Sequence, residues 1–226
     1  MRHTDFAIEN DHVRIPHPES YSDCITLIKS DQYRFNGKFL STFRILVKNL
    51  RPLTNNVLFW FRLSAYKGWL YPLCKFMYKR ASIRFGVDIP SSTRVGYGLY
   101  IGHGMSIVVN GGTIIGNNVN LSQFLNIGSN HNTPAIIGDE VYVAPQVSIV
   151  EDVKIGKYAI IGAGAVVTKD IPEAATAAGA PARVLHITPP RKSKSESTKQ
   201  VRRQSLPSSM EKDMRSFVLK GRCSRQ

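Results

Sequence analysis

From Ile89 onward, branched apolar residues recur at every sixth position. The first series is Ile89, Val95, Ile101 and Ile107; it resumes at Ile115, Leu121 and Ile127, and again at Ile137, Val143, Ile149, Ile155, Ile161 and Val167. A glycine follows many of them directly (Gly96, Gly102, Gly116, Gly128, Gly138, Gly156, Gly162), and a second apolar or small residue often stands four places on, as at Leu99, Met105, Val119, Leu125, Val141, Val147 and Ala165. A period of six fits neither an α-helix nor a simple hairpin. It fits a coil with three flat faces, in which each hexad supplies one short strand and one corner. The branched residue points into a narrow core, and the small one beside it lets the chain turn where a bulkier side chain would clash. At three hexads per turn, these thirteen positions predict four to five turns stacked as a solenoid. The register slips by two residues between Ile107 and Ile115, around Asn110-Gly111-Gly112, and by four between Ile127 and Ile137, around residues 129–132. Insertions in a solenoid leave it as loops, where function tends to sit.

Upstream the period is helical. Leu40, Phe43, Leu46 and Val47, then Phe59, Leu63 and Tyr66, recur at offsets of three and four. Pro52 is expected to separate two helices, Asn55 or Asn56 to cap the second, and Pro72 to break or kink it. Residues 1–20 are polar, contain Pro16 and Pro18 and show no periodicity, whereas the chain after Ile187 is basic, rich in Ser and poor in large apolar side chains. The expected organisation is a loosely ordered arm over 1–20, an α-helical segment over 21–86, a β-helix domain over 87–187 and a disordered basic tail over 188–226.

Charge changes this picture little. Of the formal +14, residues 187–226 hold 11 Lys/Arg against 3 Asp/Glu, a net of +8. No specific nucleic-acid partner is expected, because this charge lies outside the predicted fold and lacks interleaved aromatics. The plainer reading of the tail is a solvated end; the sharper one is contact with an anionic membrane surface. The three cysteines (Cys24, Cys74, Cys223) have no metal-type spacing and read as free thiols of a reducing compartment. No apolar stretch follows the charged start, and Arg62, Lys67 and Lys75 interrupt the most apolar segment, Val57 to Tyr78. The expected location is cytoplasmic, extended by the tail reading to the inner face of a membrane.

The stretch VDIPSSTRVGYGLYIGHGMSIVVN (87–110) resembles the serine acetyltransferases and their relatives in capsule and exopolysaccharide biosynthesis, within the hexapeptide-repeat acyltransferases. IGAGAVVTKDIPEAATAAGAPARV (161–184) is similar to the C-terminal signature of that superfamily, and LIKSDQYRFNGKF (27–39) and FWFRLSAY (59–66) look like the N-terminal segment of the exopolysaccharide-type members. The resemblance spans about residues 25–187. It implies a left-handed parallel β-helix behind a helical segment, acetyl-CoA as co-substrate with no metal, and a homotrimer with active sites between subunits. Two positions depart from serine acetyltransferases proper. Gly102 stands where an Asp usually precedes the catalytic His, and Asn132-Thr133-Pro134 stands in place of an Arg-His-Pro.

Moving an acetyl group from a thioester to an alcohol requires removing the alcohol proton as oxygen attacks, and imidazole is the usual base. By resemblance that base is His103, flanked by Gly102 and Gly104; the plain alternative is a surface histidine on a turn. No Ser-His-Asp or Cys-His arrangement is evident, so direct attack in a ternary complex is expected, with backbone N–H groups of a Gly-rich corner as donors to the oxyanion. The resemblance further implies coenzyme contacts at Ala163 (through its backbone), Thr168 and Lys169 (toward a phosphate), and acceptor contacts at Asp31 and His131. Asp31 could equally cap a helix, and His131 could simply be exposed. The expected activity is acetyl transfer to a sugar hydroxyl of a surface polysaccharide. The alternative acceptor is L-serine, in cysteine biosynthesis. An alternative of another class is a non-catalytic β-helix scaffold, disfavoured because the three-histidine zinc set of carbonic-anhydrase-like subunits is missing.

Overall fold

The computed structural model describes residues 1–8, 11–37, 40–49, 56–130, 133–150 and 152–188. Among the described residues a β-hairpin, β1 (Arg2–Ile8) and β2 (Asp11–His17), is followed by four helices: α1 (Tyr21–Asn36), α2 (Thr42–Asn49), α3 (Asn56–Ser64) and α4 (Tyr71–Phe85). From Val87 the chain winds as a parallel β-helix with three faces. The first face stacks β4 (Arg94–Val95), β7 (Ile114–Ile115), β10 (Ile136–Ile137) and β13 (Lys154–Ile155). The second stacks β5 (Tyr100–Ile101), β8 (Asn120–Leu121), β11 (Tyr142–Val143), β14 (Ile160–Ile161) and β16 (Ala175–Ala178), closed by the antiparallel β17 (Arg183–Ile187). The third stacks β3 (Val87–Asp88), β6 (Ile107–Val109), β9 (Asn126–Ile127), β12 (Ser148–Ile149) and β15 (Val166–Val167). The branched residues of successive coils stack: Val95, Ile115, Ile137 and Ile155 form one buried inner column, and half-buried Ile101 with buried Leu121, Val143 and Ile161 another.

Close approach, rather than backbone conformation, explains most of the glycines after the inward residues. A Cβ on Gly156 would lie 2.5 Å from the Glu173 nitrogen and 2.8 Å from the Pro172 carbonyl carbon, both backbone atoms of the next coil. Gly156→Ala should therefore force the coils apart and cost about 1–3 kcal/mol, as overpacking does. Urea denaturation checks this; a change below 0.5 kcal/mol, by the same scale, would show that the coils yield freely.

Two sequence expectations are corrected. The arm over 1–20 is not loosely ordered: Arg2–Ile8 and Asp11–His17 pair as the antiparallel hairpin β1–β2. Ile8, Val13 and Ile15 are buried against Ile114 and Ile136, whose side chains point outward from the first face. A two-stranded hairpin is marginal alone, and this apolar seat supplies what it lacks. Pro72 does not break a helix. The chain turns earlier, at residues 65–70, and Pro72 sits in the first turn of α4, where a missing N–H needs no partner. Pro52 and Asn55 lie outside the described residues.

The helices cover the starting end of the coil. Val57 and Phe61 of α3 and Tyr78 and Ala81 of α4 belong to the same apolar core as the coil interior. The Tyr78 hydroxyl donates to the Ile89 carbonyl.

Candidate active site

The corners between the second and third faces follow one pattern. After inward Leu121, Val143 and Ile161, the third residue has positive φ (Phe124, Gln146, Gly164), the fourth is buried (Leu125, Val147, Ala165) and the sixth is the next inward residue. The first such corner breaks the pattern. Val109, not Ile107, stands in the inner column with Ile127, while Ile107 pairs with Val87. Positive φ falls on Ser106, and Ile107 takes the buried slot that Leu125 fills one coil later. The two extra residues expected around Asn110-Gly111-Gly112 therefore sit before Ile107. Gly102 still donates to the Leu121 carbonyl, and Met105 already accepts from the Phe124 N–H, as the regular ladder requires. The residues left over are His103 and Gly104.

His103 thus rides on a two-residue bulge pushed out of the coil. The bulge is closed by the Met105 N–H donating to the His103 carbonyl at 2.8 Å. The imidazole is exposed. Met105, four places after Ile101, is 57% exposed because the insertion shifts it out of the slot that Leu125 fills one coil later, and it lies with exposed Val108 and Phe124 at the same corner. Neither flanking glycine is demanded by the chain itself. Both lie outside the positive-φ set, and a Cβ on Gly102 would meet only the Tyr100 ring, at 3.4 Å, while one on Gly104 would meet Val87 and Ile101 methyls at 3.7 and 3.9 Å. What the two glycines leave clear is the approach to the imidazole.

Beneath the corner lies a small crevice between α1, α3 and the first coil, lined by Asp31, Phe35, Leu58, Leu99, Tyr100 and Gly104 among others. The Phe35 and Tyr100 rings stack there, centroids 5.6 Å apart. Asp31 reaches this crevice, but its oxygens are in use. Oδ2 accepts from Arg62 Nε at 2.8 Å, and Oδ1 accepts from Arg62 Nη2 at 2.9 Å and from the Leu99 N–H at 2.8 Å. Arg62 also donates to the Val95 and Gly96 carbonyls, at 2.9 and 2.6 Å. Burial pushes the Asp31 carboxyl above its ordinary value, against the pull of the Arg62 guanidinium. Asp31, the expected acceptor contact, is held in a buried ion pair that ties α1 and α3 to the chain entering β5. It is not a helix cap, since Ser20 caps α1 by accepting from the Asp23 N–H. Arg34 extends the tie by donating to the Asn118 carbonyl at 3.0 Å and to Asn120 Oδ1.

Arg62 and Arg34 were not singled out from the sequence. The available signal was a lone arginine inside the apolar run NVLFWFRLS, which has to be paired if that run is buried.

Ala163 stands in the column of Met105, Gln123 and Pro145, at the edge that carries His103 and three coils away, about 14 Å at ordinary strand spacing. Thr168 and Lys169, both exposed, follow β15 at the opposite edge of the third face. His131 lies outside the described residues. Among the described residues no three His, Cys, Asp or Glu side chains gather into a metal-holding group.

Residues 134–169 match the family of bacterial transferase hexapeptide proteins (six repeats). Over 118 residues the chain is 34% identical to the serine acetyltransferase of Haemophilus influenzae, covering 50% of this chain and 44% of that one. A solved serine acetyltransferase in complex with CoA superposes with a TM-score of 0.59 at 25% identity, over 73% of this chain and 70% of that one. A soybean serine acetyltransferase complexed with serine gives 0.52 at 28% identity, over 73% and 68%. The chain spans about half the length of the curated relatives it matches.

Proposed function

We propose that this chain is an acetyl-CoA-dependent O-acetyltransferase with His103 as its general base. The observation that carries the reading is the two-residue bulge that lifts His103 out of a corner that is regular in the three coils after it, between glycines the fold does not need. In this reading the imidazole takes the acceptor's hydroxyl proton as that oxygen attacks the thioester carbonyl. The tetrahedral intermediate then collapses, breaking the C–S bond; the ester forms, and the proton passes to the departing CoA sulfur. Proximity supplies much of the rate, and backbone N–H groups of the glycine corner are the available donors to the oxyanion. The coenzyme runs along the coils, with the Ala163 backbone and Thr168 beside it and Lys169 toward a phosphate. Subunits join as a homotrimer with the sites between them, and His131 is a second candidate residue for binding the acceptor.

L-Serine is the acceptor that the relatives' names support, ahead of the sugar hydroxyl expected from the sequence. One observation keeps a polysaccharide sugar as the second reading: Gly102 offers no carboxylate beside His103 to hold an amino acid's ammonium group. Calorimetry should show CoA binding by the folded protein, undiminished by a chelator. Thiol release from acetyl-CoA should then rise with L-serine or with one of a panel of nucleotide sugars and oligosaccharides. Absence of CoA binding ends the acetyltransferase reading, and turnover with sugars but not serine decides for the second acceptor.

A further inference from the structure

Between residues 32 and 87 the chain carries 11 Lys/Arg and no Asp or Glu. The rest of the chain before the tail, residues 1–31 and 88–186, carries 8 Lys/Arg against 13 Asp/Glu. The positive charge is therefore not confined to the tail: the helical segment is strongly basic and the coil is acidic. Within the basic segment, α4 buries Cys74, Tyr78, Ala81 and Ser82 against the fold and turns a different set of side chains outward. Leu73 is 52% exposed, Phe76 64% and Ile83 70%, and Trp69, two residues before the helix, is 83% exposed. Positions 69, 73, 76, 80 and 83 follow the three-and-four spacing of a single helical stripe. Arg80 stands within it, and Lys75, Lys79 and Arg84 stand beside it, all exposed. Among the described residues none of these four pairs with a carboxylate; Lys75 lies over the Tyr71 ring and Arg84 over that of Phe85.

We propose that the outer face of α4, together with Trp69, docks on an anionic lipid bilayer. Large apolar side chains and unpaired cations share one helix face, which is the composition of a helix lying in a membrane interface. The aromatic and aliphatic groups enter the acyl boundary while Lys and Arg extend to headgroup phosphates. A second copy packed on this face about a twofold axis would set four cations against their equivalents. A protein interface of any symmetry would bury lysines that interface cores exclude. No helix among the described residues is long and apolar enough to cross a membrane, so the helix lies on the surface. The seat is close to the candidate active site. A Cβ on Gly86, the residue that ends α4, would lie 3.3 Å from the Ser106 nitrogen at the foot of the His103 bulge. That places the bulge within about 22 Å, one length of α4, of the bilayer.

The test uses the full chain with vesicles of phosphatidylcholine alone and of phosphatidylcholine with three-tenths phosphatidylglycerol. Binding should appear only with the anionic vesicles and fall steeply between about 0.1 and 0.5 M salt. Lipids brominated in the acyl chain should quench tryptophan emission, and Trp69→Phe should abolish the quenching. The combined Trp69→Ser, Phe76→Ser and Ile83→Ser variant, altered only at exposed positions, should bind at least tenfold more weakly. Co-sedimentation with anionic vesicles without quenching would overturn the proposal and assign the binding to the tail. Undiminished binding of the triple variant would also overturn it. So would concentration-dependent association of the chain that shields Trp69 without lipid and is lost in the triple variant, because a second copy would then be the occupant.

Discussion

Arg62→Ala should be among the most destabilising single substitutions in the chain, costing about 3–5 kcal/mol. The side chain is fully buried, and four hydrogen bonds leave it: two to Asp31 and one each to the Val95 and Gly96 carbonyls. Its removal strands a carboxylate that, among the described residues, keeps only the Leu99 N–H as a hydrogen-bond partner. Against a total stability of roughly 5–15 kcal/mol such a loss is large, and it should lower the melting temperature by about 10 °C or more. The defect should depend on pH with a definite sign. Burial already raises the Asp31 carboxyl and Arg62 opposes that rise, so without Arg62 the folded-state value climbs further above that of the unfolded chain. A carboxyl raised in the folded state favours folding below its unfolded value and loses that contribution as pH rises toward its folded value. Arg62→Ala should therefore be closest to the parent near pH 4 and fall furthest behind at pH 8. Replacing both partners, Arg62→Met with Asp31→Asn, should recover part of the loss by removing the stranded charge. A single variant within 1 kcal/mol of the parent, measured by urea denaturation, would show that the pair is incidental.

How much of this was legible in the sequence depends on what each residue reports. The coil was legible because its signal is written once per hexad: an inward branched residue repeats, and the glycine beside it answers to the backbone of the next coil, as Gly156 does to Glu173. The hairpin was not, because Pro16 and Pro18 and the polar side chains mask a short alternation, Phe6 and Ile8 on one strand and Val13 and Ile15 on the other, with Phe6 opposite Val13. Its partner signal lay a hundred residues away, in apolar Ile114 and Ile136 at outward positions where a solvated face would carry polar groups. Placement of the first insertion failed for a local reason. Ile107 lies six residues after Ile101, and Val109 lies six before Ile115, so either could be the inward residue. Counting forward from Ile101 chooses Ile107; the ladder, in which Val109 pairs with Ile127, chooses Val109. Asp31 was singled out without its ion-pair partner, since spacing along one chain does not show that Arg62 arrives from another helix to meet it.

The corrected position of the insertion bears directly on the proposed catalysis, because the residues it adds are His103 and Gly104. His103→Ala should lower turnover by about two to four orders of magnitude, the usual contribution of a general base. CoA affinity measured by calorimetry should stay nearly constant, because the base acts on the acceptor's proton and the coenzyme residues proposed here begin three coils away at Ala163. His103→Asn should be almost as poor, since an amide keeps a polar shape but takes no proton at neutral pH. The bulge permits a sharper experiment. Deleting His103 and Gly104 together would leave Gly102 next to Met105 and return the corner to the six-residue pattern of Leu121–Ile127 and Val143–Ile149. The shortened chain should fold with nearly parental stability, because among the described residues the coil-to-coil backbone bonds of this corner run through Gly102, Met105, Ile107 and Val108 and none through His103 or Gly104. It should bind CoA and transfer nothing. Such a protein would separate the residues that build the coil from the two that interrupt it for chemistry. If instead His103→Ala, folded and binding CoA, keeps most of its kcat with the true acceptor, His103 is not the base, and His131 on the second insertion becomes the histidine to replace.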